Sequence, residues 1–187
     1  MGLRLALLTA VALALAACGQ AAPDAVANAP VAENAIAVAP PAGRVIDRAN
    51  LLSPAEETYL SEASAALERD TGAQFAIATV PDLHGQTIEE YSLQLARAWH
   101  LGSRERNDGV LLLVAVAERK VRIEVGRGLE RRIIDPFASR VIRQQIAPHF
   151  REGNYPAGII AGSEAIIVRL RSRATDREIA AEDNLLI

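Results

Sequence analysis

Residues 107–128 read NDGVLLLVAVAERKVRIEVGRG, and this stretch decides the fold. Val110–Val116 is a nearly unbroken apolar run, as expected of a strand covered by helices on both faces. Val121-Arg122-Ile123-Glu124-Val125 alternates instead, which predicts a strand with one wetter face. The polar Ala117–Lys120 segment between them is a turn, so the two strands form an antiparallel hairpin. Upstream, Phe75–Val80 repeats the buried apolar pattern and Val45-Ile46 supplies a short further strand.

The helices between these strands are marked at their starts. Ser53-Pro54-Ala55-Glu56 and Thr87-Ile88-Glu89-Glu90 are capping boxes, in which the hydroxyl and the glutamate satisfy each other's free backbone N–H groups. The first opens a helix with Leu60, Ala63, Leu67 and Tyr59 inward, and the second a helix with Tyr91, Leu95, Ala98 and Trp99 that stops near Gly102. Asp135-Pro136 predicts an N-cap followed by Pro at the first helical position, and Pro156 begins a last helix carrying Ile159, Ile160, Ile166 and Ile167. The order β-α-β-α-β-β-α-α predicts an α/β fold with Rossmann-like layers, a central mixed four-stranded sheet sandwiched between helices.

Working outward to the N-terminus, Leu5–Ala17 carries no charge and follows Arg4. As a helix this run would be about 20 Å long, shorter than a bilayer span, so it predicts a cleaved signal peptide over residues 1–17. Leu15-Ala16-Ala17-Cys18 resembles the lipobox of bacterial lipoproteins, which makes Cys18 the lipidated residue. It is the one cysteine of the chain and has no partner for an internal disulfide. Gly19 behind it is similar to lipoproteins forwarded to an outer membrane. Residues 18–43 are rich in Ala and Pro and read as a tether; 44–172 form the domain, and 173–187 a charged tail. The net charge of −3, with scattered basic residues and 4% aromatics, gives no footprint for nucleic acid. The expected setting is the periplasmic face of the cell envelope, lipid-anchored to a membrane.

Carboxylates cluster in the loops. Asp47 follows the first strand, Asp82 the second, Asp108 precedes the central strand, and Glu130 and Asp135 lie beyond Gly126-Arg127-Gly128. Carboxylates beside a glycine turn suit a hard cation such as Ca²⁺ or Mg²⁺. Each also has a simpler reading: Asp135 as a cap, Asn107-Asp108-Gly109 as a turn, and Glu124 as a side chain facing water. His84, His100 and His149 share no metal-ligand spacing. Gly126-Arg127-Gly128 lacks the Gly-Lys-Ser/Thr end of a P-loop.

Six motifs then occur in a familiar order. Val45–Ser53, Thr71-Gly72-Ala73-Gln74, Trp99-His100-Leu101-Gly102, Asn107–Val114, Val125–Glu130, and Ile146–Phe150 with Gly153-Asn154-Tyr155 together resemble the TPM domain family over residues 44–168. The resemblance implies an extracytoplasmic, membrane-tethered domain. It also implies a divalent cation near Asp47, Asp108 and Asp135, with Glu124. One plant member of the family is described as an acid phosphatase associated with photosystem repair. That implies Asp108 as a candidate catalytic carboxylate, in a phosphatase that uses Ca²⁺ or Mg²⁺. The chain departs from the family at Arg131-Arg132-Ile133-Ile134-Asp135. With Arg127, the two arginines would clamp a phosphate or form a partner surface. Fold resemblance does not carry activity with it. The leading expectation is therefore partner binding in envelope protein quality control or complex assembly, with phosphate monoester hydrolysis as the alternative.

Overall fold

Both capping boxes are made in the structure, a computed structural model that describes residues 43–172 together with Glu178 and Ala181. Ser53 Oγ accepts from the Glu56 N–H and Glu56 accepts from the Ser53 N–H at 2.7 Å, opening α1 (Pro54–Thr71). Gly72, at φ 78°, closes that helix by donating to the Glu68 carbonyl. Thr87 and Glu90 do the same for α2 (Ile88–Ala98). Tyr59 departs from the expectation. It is exposed, and its hydroxyl donates to Glu164 at 2.6 Å, tying α1 to the last helix from outside.

The strands are β1 (Val45–Asp47), β2 (Gln74–Val80), β3 (Gly109–Ala115) and β4 (Lys120–Val125), in spatial order β1-β2-β3-β4. The first three are parallel, and the β3–β4 hairpin is antiparallel as read from the sequence. Side-chain alternation splits the core into two layers. Phe75, Ile77, Leu112, Val114 and Ile123 face α1 and the C-terminal helices, whereas Ala76, Ala78, Leu111 and Leu113 lie under Ile88, Tyr91, Leu95 and Trp99 of α2. Helix α2 itself lies over β3 and β4.

The C-terminal half is more broken than predicted. Helix α3 (Asp135–Val141) runs into a π-helical turn (Ile142–Ile146) and then α4 (Ala147–Arg151). Pro148 explains the irregularity, since it has no N–H and its ring clashes with the carbonyl four residues back. Asn154 Oδ1 accepts from the Ala157 N–H and starts α5 (Tyr155–Arg171). Gly158 and Gly162 give α5 a smooth face. A Cβ on Gly158 would lie 2.7 Å from the Phe150 ring, and one on Gly162 2.5 Å from Ile146. Asp135 is not the N-cap: Ile134 holds that position without a side-chain cap, and Asp135 is the first helical residue. Its charge still suits the positive end of the helix dipole. Arg169 of α5 stacks over Phe137 of α3, 4.1 Å from the ring centre. Among the described residues no helix is long and apolar enough to cross a membrane. Cys18, the signal peptide, the tether and most of residues 173–187 lie outside the described residues.

Candidate functional site

Residues of four of the six motifs, Thr71–Gln74, Trp99–Gly102, Asn107–Val114 and Val125–Glu130, meet at the amino ends of the parallel strands, whereas Asp47 stands at the carboxyl end of β1 and Phe150 and Tyr155 line a cleft with Val114, Ala115 and Val116. Because β4 is antiparallel, its last residue Val125 pairs with Val110, and Gly126-Arg127-Gly128 is delivered beside the Arg106–Gly109 segment. The backbones meet directly: Gly126 N–H donates to the Gly109 carbonyl at 2.8 Å and Gly128 N–H to the Asn107 carbonyl at 3.1 Å. A Cβ on Gly126 would overlap the Asn107 carbonyl, and one on Gly128 the Arg106 carbonyl. The glycine spacing thus serves backbone-to-backbone packing. Gly102, at φ 90°, and Gly109 make a second such contact, where a Cβ on Gly109 would lie 2.6 Å from the Leu101 carbonyl oxygen.

These contacts frame a cleft of about 540 Å³ between the end of α2, the 100–109 loop and the 124–130 turn. Arg97, Arg104 and Arg127 bring three guanidinium groups to its walls, Glu124 and Glu130 two carboxylates, and Leu93 an exposed apolar side chain. Residues of the Trp99–Gly102, Asn107–Val114 and Val125–Glu130 motifs all line it.

The expected cation ligands are distributed otherwise. Asp47 Oδ2 accepts from the Leu52 N–H at 2.7 Å, and Oδ1 accepts from the Thr79 hydroxyl, so this carboxylate braces the turn into α1. The register places Asp47 level with Thr79 and Val114, six residues along β3 from Asp108. At about 3.3 Å per residue the two are about 20 Å apart. Asp108 is buried, 6% exposed, and turned into its own loop, where it accepts from the Ser103 N–H at 2.8 Å and from Arg106 Nε. Burial pushes its carboxyl up, but the Ser103 and Arg106 donors together outweigh this and leave it below the usual range. Glu124 does not face water: Ser92 Oγ and Arg122 Nε both donate to it at 2.9 Å beneath α2. Asp135 is exposed and lines a separate cleft with Glu124 and Glu130. Ca²⁺ requires several oxygens at about 2.3–2.6 Å from one point. Asp47, Asp108, Asp135 and Glu124 do not meet that requirement together, and among the described residues no three acidic or histidine side chains converge to hold a metal ion.

The arginine loop also divides. Arg127 lines the cleft, Arg131 is exposed outside it, and Arg132 Nη1 donates to the Ser172 carbonyl at 2.6 Å, holding the end of α5. Ser92 was missed in the sequence. It is fully buried and joins Glu124, Arg122 and α2 through its hydroxyl. Its signal was a hydroxyl on the buried face of a helix, one residue after Tyr91 and three before Leu95.

Residues 45–169 match the profile of the TPM domain. Among solved structures, the N-terminal domain of a protein from P. gingivalis is 35% identical, with a TM-score of 0.65 over 73% of this chain and 85% of that one. The BA42 protein from the psychrophilic bacterium Bizionia argentinensis is 21% identical, with a TM-score of 0.55 over 64% of this chain and 81% of its own. The N-terminal domain of the cg2496 protein from Corynebacterium glutamicum is 13% identical at the same TM-score, over 72% and 84%. The latter two speak for the fold alone. No curated protein sequence matches the chain.

Proposed function

The chain belongs to the TPM domain family, and from that premise we propose that it is an extracytoplasmic binding module, lipid-anchored through Cys18, whose working surface is the cleft at the amino ends of the parallel strands. The observation that carries this reading is convergence. Three motifs that follow one another within residues 99–130 meet on one cleft, and their glycines are fixed by backbone packing rather than by cradling a ligand. The walls offer guanidinium groups, carboxylates and the exposed Leu93, which is the chemistry of a protein interface carrying charges of both signs. The partner is an envelope protein, in quality control or complex assembly.

The cleft's three arginines also favour a second reading, a phosphatase that recognises a phosphate monoester. Asp108, the carboxylate named for that chemistry, is held by Ser103 and Arg106 away from the cleft. Crosslinking in intact membranes tests the binding reading. It should recover one defined adduct, and Arg127→Glu combined with Glu130→Arg should abolish it while Asp82→Asn leaves it intact. An adduct indifferent to the cleft charges overturns the reading. Hydrolysis of an aryl phosphate that requires Ca²⁺ or Mg²⁺ and is lost in Asp108→Asn would establish the alternative. Cys18→Ser should move the folded domain from the membrane to the soluble fraction.

A further inference from the structure

Strand β4 ends the sheet, and among the described residues no strand pairs with its outer edge. The Gly126–Gly109 hydrogen bond sets the phase of the ladder: Glu124, Arg122 and Lys120 turn their backbone groups toward β3. Val121, Ile123 and Val125 therefore point their N–H and C=O groups away from the sheet, and among the described residues these groups make no hydrogen bond. The opposite edge is different, because β1 has three residues and offers almost no ladder. Exposed edges are usually blunted by charged side chains. Here Arg122 and Glu124 are paired with each other beneath α2, leaving the edge unguarded along their stretch.

Two clefts adjoin this strand, and every residue from Lys120 to Val125 lines one of them; the first also reaches Val114, Ala115 and Val116, so it opens at the carboxyl end of β3 beside the Lys120 end of the edge. The second, of about 600 Å³, touches Arg122 and Glu124 of one face of the sheet and Ile123 and Val125 of the other. Its far wall is Ile133, Ile134 and Asp135. The first, of about 570 Å³, sets Val121 opposite Ile142 and the Phe150–Tyr155 ring pair, whose centres are 4.8 Å apart. Charge is segregated along the groove. Arg119, Lys120 and Arg151 surround the first cleft with no acidic residue in its lining, whereas Glu130 and Asp135 flank the second.

We propose that this groove binds an extended segment of a partner polypeptide, which adds to β4 as a fifth strand. The segment carries an acidic residue at the Lys120 end, apolar side chains at alternate positions, and a basic residue at the Glu130–Asp135 end. Main-chain hydrogen bonds to Val121, Ile123 and Val125 supply affinity, and the two charged ends with the Phe150–Tyr155 pocket supply specificity. The groove shares Glu124, Val125 and Glu130 with the cleft of the proposed function, so the test is made at Lys120, Val121 and Arg151, none of which lines that cleft, and the two readings can fail separately.

The test uses the mature chain and a fluorescein-labelled peptide of sequence Asp-Glu-Val-Thr-Val-Thr-Val-Lys, followed by anisotropy, together with the reversed-order peptide to cover both strand directions. One of the two should bind and slow amide hydrogen exchange at Val121, Ile123 and Val125. Lys120→Glu with Arg151→Glu should weaken it at least about tenfold, the effect of about 1.4 kcal/mol. Val121→Pro removes an outward N–H without touching the β3 ladder and should abolish binding. Should that variant not fold, the same peptide N-methylated at alternate residues tests the point on the unaltered protein. Loss of binding on N-methylation supports strand addition, and equal binding overturns it. Absence of binding by both peptides at millimolar concentration also overturns the proposal. So does a dimer of the chain itself that Val121→Pro dissociates, which would make the occupant a second copy.

Discussion

The two ends of the sheet are built from similar residues put to opposite uses. At the carboxyl ends of β1 and β2, Asp47 and Thr79 bond each other and the start of α1, and Glu118 accepts from the Leu83 N–H at 3.0 Å. The polar groups there are spent on bracing turns. At the amino ends, glycines let two backbones meet, and Arg97, Arg104, Arg127 and Glu130 line the cleft beside them. In open parallel sheets ligands usually bind beyond the carboxyl ends. Here the fourth strand is antiparallel and returns the Gly126–Glu130 turn to the amino end of β3, which is where the proposed working surface lies. A cluster of acidic residues in sequence is therefore not a site until the hydrogen bonds of each one are accounted for.

The contrast is most sharply broken at glycine. Gly128→Ala would drive a methyl group into the Arg106 carbonyl, where the nearest atoms are all backbone of Arg106 and Asn107 and nothing flexible can yield. We expect it to cost about 3 kcal/mol in urea unfolding and to disturb the cleft. Gly85→Ala, in the loop at the opposite end, meets open space and pays only for its φ of 81°, about 1 kcal/mol. Equal costs would mean that the amino-end loops do not pack as described. Asp47→Ala comes next. It strips the acceptor from the Leu52 N–H and the Thr79 hydroxyl and should cost about 2 kcal/mol, with no change in the melting temperature response to millimolar Ca²⁺. A Ca²⁺ stabilisation that Asp47→Ala removes would restore Asp47 as a ligand.

A smaller effect separates Asp108 from a catalytic role. Its folded carboxyl lies below the unfolded value of about 3.9, so the stability it contributes is fully present above that pH and is lost as pH falls through the folded value. Asp108→Asn should flatten the fall in melting temperature below about pH 4, and an unchanged acid limb would show that Ser103 and Arg106 do not hold it. The smallest change in stability is expected for Arg127→Ala, within about 0.5 kcal/mol, because its side chain lines the cleft without bracing it.

Much of the fold could be read from local chemistry. The capping residues Ser53 and Thr87, the buried runs of β2 and β3, and the hairpin turn all act over short range, and each is realised. The site was less legible because its partners are distant in sequence. Glu124 alternates as a solvent-facing residue would, yet Ser92 of α2, 32 positions away, covers it. Asp47 follows its strand and Asp108 precedes its own, and the parallel pairing of β1, β2 and β3 turns that order into opposite ends of the sheet. The π-helical turn was hidden for another reason: Pro148 announces a disturbance without saying whether the helix will end or widen.

The central claim, that the amino-end cleft is the working surface, is tested most directly by placing one photocrosslinking side chain at a time in the membrane-anchored protein. Substitution at Arg127 and at Arg104 should each yield the same discrete adduct, while substitution at Asp82 yields none. An adduct from Asp82 with none from Arg127 or Arg104 would contradict the account and return the working surface to the carboxyl ends of the strands.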